Sequence, residues 1–66
     1  MAEAEIWQTI VKADELLKYA TDDKAQVRRD QAAALLRTAL AEAEAAGSPQ
    51  LAEQARTRLR DLGLGD

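Results

Sequence analysis

Four consecutive residues, Ala46-Gly47-Ser48-Pro49, restrict this chain more than any others. Gly47 can take the left-handed conformation that ends a helix. Ser48 has the side chain that accepts from the first free N–H groups of a following helix. Pro49 suits the first helical position, where φ is already set and no N–H is needed. A stop, a cap and a start in succession leave no room for a linker. The flanking segments must therefore fold back on each other as an antiparallel αα-hairpin.

The remaining chain reads as helix on both sides of that turn. Pro49 is the single proline, and the other glycines, Gly63 and Gly65, lie at the end. No stretch sustains the apolar–polar alternation of a strand. The pattern predicts an all-α fold of three helices, at about residues 2–20, 24–46 and 49–62, in one small domain spanning 1–66. In the first helix Ile6, Ile10, Ala13, Leu17 and Ala20 form one stripe, Glu3 and Glu5 suit the positive end of the helix dipole, and Asp14 and Lys18 are spaced to pair. Asp23 is placed to cap the second helix, with Gln26 in the capping-box position. That helix carries Ala32, Leu35, Leu36, Ala39, Leu40 and Ala43 on one face, with Ala34, Ala41 and Ala45 opposite. The third carries Leu51, Ala55, Leu59 and Leu62, followed by Gly63 as a second stop and Leu64 as its apolar contact.

The chain has 66 residues and neither cysteine nor histidine. Disulfides and thiolate metal sites are excluded, and a zinc or iron site would have to be all-carboxylate. No nucleophile has a histidine base, so the chain reads as non-catalytic, without cofactor or metal. A domain this small gains only a few kcal/mol from its core, which favours help from a second subunit. The net charge of −3 argues against nucleic acid as the main ligand. The apolar runs are too short to span a bilayer, and the acidic Met1-Ala2-Glu3-Ala4-Glu5 start is unlike a signal peptide, so a cytoplasmic protein is expected. Preference for alanine and arginine over isoleucine and lysine suggests a GC-rich bacterial source.

The second helix reads Ala32-x3-Leu36-x2-Ala39, and beyond Gly47 the third reads Leu59-x2-Leu62-Gly63. Over about Ala32 to Gly63 this resembles the tetratricopeptide (TPR) repeat, whose second helix carries small and large residues at that spacing and whose first helix carries a Leu-Gly pair. Trp7-x2-Ile10 resembles the start of a preceding repeat. Val11 and Asp14 depart from that pattern, and the interval from Ala32 to Leu59 is longer than the repeat provides. The resemblance implies helical-hairpin packing and a role in holding a peptide or partner helix.

Three groups of side chains have more than one reading. Asp22, Asp23 and Asp30 match no calcium-loop spacing and read as capping residues. Arg28, Arg29, Arg56, Arg58 and Arg60 are either an anion-binding patch or a solvated face balanced by Glu42, Glu44, Glu53 and Asp61. Trp7, Val11 and Leu16 widen the apolar arc of the first helix well beyond the roughly 100° that one core needs. Taken alone, Trp7 is expected in the core. Trp7, Val11 and Tyr19 taken together are equally a partner-binding surface, since aromatic residues are enriched at interfaces. The function expected is protein–protein interaction, by self-association through the first helix, with a dimer favoured. The alternatives are a monomeric TPR-like adaptor, with a peptide between helices 1 and 2, and a nucleic-acid-associated regulator.

Overall fold

In a computed structural model that describes residues 2–21 and 23–63, the chain forms three helices: α1 (Glu3–Lys18), α2 (Ala25–Ala45) and α3 (Pro49–Asp61). No strand occurs among the described residues. α2 lies between the other two and packs along both, whereas α1 and α3 meet at few residues. The helices are slightly shorter than the sequence indicates. Tyr19, Ala46 and Leu62 fall at C-cap positions, Lys24 at an N-cap, and Ala20 lies beyond α1.

The core follows from apolar spacing. α1 buries Ile6, Ile10 and Ala13, α2 buries Ala32, Ala33, Leu36, Ala39 and Ala43, and α3 buries Ala52, Ala55 and Leu59. Ala33 and Ala52 lie outside the stripes expected from sequence. α2 is covered on two flanks, so it buries a wider arc than a helix facing one neighbour. Close approach also leaves larger side chains at the margin: Leu35, Leu40, Leu51 and Leu62 are only partly buried.

The α2–α3 turn forms as expected in its backbone. Gly47 has φ +69°, its N–H donates to the Glu44 carbonyl at 3.1 Å, and the Ser48 N–H donates to the Ala43 carbonyl at 2.9 Å. This pair of bonds satisfies carbonyls at the end of α2 in the Schellman arrangement. Ser48 does stand at the N-cap of α3, but its side chain makes no capping bond. Its hydroxyl instead donates to Glu3 Oε2 at 2.9 Å, joining the start of α1 to the start of α3. Gly63 repeats the stop at the end of α3 with φ +77° and an N–H bond to the Arg60 carbonyl at 2.9 Å. The contact expected of Leu64 lies outside the described residues.

The α1–α2 connection differs from the expected capping box. α2 starts one residue later than Asp23 requires, with Lys24 at its N-cap and no side-chain capping bond. Asp23 is therefore too early to reach the free N–H groups, and Gln26 Nε2 donates to Asp30 Oδ1 at 2.9 Å instead. The connection is tied from the other direction: Arg28 Nη1 donates to the Tyr19 carbonyl at 2.7 Å, placing a cation on the negative end of α1. Asp22 lies outside the described residues.

Leu36 is fully buried between the flanking helices. Leu36→Ala should cost about 2–5 kcal/mol, measured by urea denaturation; an unchanged midpoint would place the core on another face. Gly47→Val forces a β-branched residue into left-handed backbone, at roughly 1–2 kcal/mol or more. A Cβ there meets nothing within 4 Å, so the cost is conformational and not steric. Ser48→Ala removes one hydrogen bond to the carboxylate of Glu3, about 1.5 kcal/mol, the low end for a charged acceptor because Glu3 is exposed. Thermal melts should rank Gly47→Val as the more damaging, and the reverse order would mean that the Glu3–Ser48 link outweighs the turn.

Candidate protein-interaction surface

Placement of the α1 side chains follows from one rotation. Turning Ile6, Ile10 and Ala13 toward α2 sends Glu3, Trp7 and Asp14 to the flank facing α3, and sends Lys12 and Leu16 to the other flank. The wide apolar arc of the sequence is thus divided between two edges of α1. Trp7, expected in the core when taken alone, is 42% exposed. An indole does not fit where α1, α2 and α3 approach through alanines, so it lies along the rim.

On the Trp7 edge, Arg58 of α3 makes the principal contacts. Its Nε donates to Asp14 Oδ1 at 2.8 Å, and its Nη1 donates to Gln54 Oε1 at 2.7 Å and to the Gln54 carbonyl at 3.0 Å. So held, the guanidinium carbon stands 5.7 Å from the centre of the Trp7 ring, within cation–π range. The Asp14–Lys18 pair expected from sequence is replaced by this link; Lys18 Nζ lies 5.8 Å from the Tyr19 ring centre. Beside Trp7, an open groove of about 580 Å³ is lined by Pro49, Gln50, Leu51, Glu53 and Gln54 of α3. Val11, one turn on from Trp7, is half-buried on the same edge.

Tyr19 is not brought to this edge. It caps the C-terminus of α1, 61% exposed, and twelve residues of helix set it about 18 Å from Trp7 along the axis. Trp7 and Val11 therefore share a surface within one chain and Tyr19 stands apart. Val27 is also exposed, near the start of α2.

The opposite edge of α1 borders a second groove, of about 450 Å³, between α1 and α2, where Leu16, Leu35 and Ala34 are flanked by Lys12, Gln31 and Thr38. The remaining arginines of α3, Arg56 and Arg60, line neither groove. Arg56 pairs with Glu53 at 2.9 Å and Glu44 at 3.6 Å, and Arg60 lies 3.9 Å from Glu53. Arg56 and Arg60 thus stand beside two acids, Glu44 and Glu53. No grouping of three or more acidic residues suited to a metal occurs among the described residues.

Arg58 is the residue that sequence reasoning missed as part of this surface, having been grouped with the other arginines. A signal was present: Trp7 and Asp14 are seven residues apart on α1, and Leu51 and Arg58 seven apart on α3, so each pair shares a face.

Comparisons of the chain with family models, with curated proteins and with solved structures find no match.

The Asp14–Arg58 link can be measured apart from its surroundings. A double-mutant cycle with Asp14→Ala and Arg58→Ala should return a coupling of about 0.2–1 kcal/mol, as for a partly exposed pair, and Arg58→Ala should shift Trp7 emission to the red. Zero coupling with unchanged emission would mean that α1 and α3 are held by apolar contact alone.

Proposed function

We propose that this chain is a non-catalytic protein-interaction module that associates with a second copy of itself through the Trp7–Val11 edge of α1. The observation that carries the reading is the exposure of Trp7, the only tryptophan, beside half-buried Val11 and Leu51. An apolar strip with polar residues at its margin is the usual form of an interaction site. The small core adds to the case. Its largest fully buried side chains are Ile6, Ile10 and Leu36, so covering a tryptophan in a dimer contributes a substantial fraction of what the monomer buries. The absence of cysteine and histidine leaves carboxylates, lysines, arginines and the phenol of Tyr19 as the acid–base groups, and Asp14 and Glu53 are engaged with Arg58 and Arg56.

A second reading rests on the α1–α2 groove, where Leu16 and Leu35 could seat a peptide or a partner helix, as the TPR resemblance implies. Trp7 favours the first reading, because it is larger, more exposed and on the opposite edge.

Sedimentation at micromolar concentration tests the proposal. The unaltered chain should sediment as a dimer, and Trp7→Glu with Val11→Glu should sediment as a monomer with its helical circular dichroism retained. A chain that is monomeric before any change overturns self-association and favours the groove reading.

A further inference from the structure

We infer that the joint between α1 and α2 is a hinge that straightens, and that two straightened chains exchange their α1 helices, each α1 taking its usual place on the α2 of the other copy. The three helix ends differ. α2 stops at Gly47 with φ +69° and α3 at Gly63 with φ +77°, backbone through which no helix continues. α1 stops without a glycine. Tyr19 stands at its C-cap with φ −103° and ψ 15°, and Lys24 at the N-cap of α2 with φ −99° and ψ 8°, both within about 60° of helical values. The six residues from Tyr19 to Lys24 include neither glycine nor proline, so no residue type there bars a helix. α2 also begins without a side-chain capping bond to hold its start in place.

Straightening joins backbone groups that the bend keeps apart. The last carbonyls of α1 and the first N–H groups of α2 have no partners within their own helices, and in one continuous helix they bond to each other. The Tyr19 carbonyl, which accepts from Arg28 Nη1 in the closed chain, takes the Asp23 N–H instead. A helix from Glu3 to Ala45 is about 64 Å long. Along it Ile6, Ile10, Ala13, Ala32 and Ala39 fall within an arc of about 100°, so both halves turn their buried faces to one side. A second straightened chain laid antiparallel covers that side, α1 on α2 and α2 on α1.

The monomer itself fixes the occupant, because the place that α1 leaves on α2 is shaped to α1. Its departure keeps the α2–α3 hairpin, since α1 meets α3 at few residues. The links that hold α1, Glu3 to Ser48 and Asp14 to Arg58, form again between chains. The exchange reuses contacts of the single chain and leaves the Trp7 edge as it is, so it is independent of the pairing proposed above. Exchange of identical elements closes at two chains. It competes with the chain's own α1, whose effective concentration over so short a joint is about millimolar, so concentration drives it.

Because the chain has no cysteine, single cysteines report the exchange directly. Lys12 of α1 and Thr38 of α2 line one groove. Lys12→Cys and Thr38→Cys chains are mixed while dilute, concentrated to millimolar and treated with a short bis-maleimide. Exchange gives covalent dimer from the mixture and little from either variant alone. The joint is then altered in the same chains. Thr21→Ala with Asp23→Ala favours a continuous helix and Thr21→Gly with Asp23→Gly opposes it, so the four altered sites of a dimer should separate the two dissociation constants by about a hundredfold or more. A mixture that does not link in the alanine background at millimolar concentration overturns the exchange. If sedimentation nonetheless finds a dimer there, the Trp7-edge reading stands, since that pairing leaves these grooves on the outer sides. Linking at equal concentration in the alanine and glycine backgrounds overturns the hinge. Retained helical circular dichroism in every variant shows that a failure to link is not a failure to fold.

Discussion

Seven of the eleven buried core residues are alanines: Ala13, Ala32, Ala33, Ala39, Ala43, Ala52 and Ala55. An alanine reaches little beyond its own helix, so these helices make apolar contact only when their axes come close. Close axes leave no volume for a large ring between them, and packing at native density does not tolerate one forced in. Trp7, which the rotation of α1 sets on the flank, finds no room to fold inward. Leu35, Leu40, Leu51 and Leu62 are partly buried for the same reason, and close the margins of the core without filling its centre.

Polar side chains then join what alanine alone does not. α1 and α3 share little apolar contact, and two links hold them in place, Glu3 to Ser48 at one end and Asp14 to Arg58 toward the other. Trp7 lies between these links along α1. Arg58 covers one side of the indole and Asp14 fixes Arg58, so the ring is held in an ordered position without being buried. A preorganised aromatic side chain loses less entropy on binding than a mobile one. On the proposed reading, the arrangement that joins α1 to α3 also orders the edge that would meet a partner.

Much of the fold was legible in the sequence because it depends on local rules. Gly47 and Pro49 marked a turn whose geometry is set by backbone conformation, and the spacing of Ile6, Ile10, Leu36 and Ala39 marked buried faces. The errors fell where a distant partner decides the outcome. Ser48 has a capping side chain, yet Glu3, 45 positions away, takes its hydroxyl. Asp23 fits a capping box, but α2 begins one residue later and is tied to α1 through Arg28. Asp14 was paired with Lys18 by local spacing and bonds to Arg58, 44 positions away. Trp7 is apolar, but the rotation that turns Ile6, Ile10 and Ala13 toward α2 sends it to the rim. Of the three surface residues singled out, Trp7 and Val11 share an edge, while Tyr19 stands apart at the C-terminus of α1.

The central claim is that the Trp7 edge of α1 is a surface awaiting a partner copy, and the single tryptophan makes it directly measurable. Trp7 emission should be followed as the chain is diluted through the micromolar range, with Gly63 and the residues before it intact. The account predicts a blue-shifted spectrum at high concentration that moves to the red on dilution, along a single two-state curve, as the indole passes from a covered to a half-exposed position. A spectrum that does not change with concentration, in a chain that sedimentation finds to be a dimer, would contradict it.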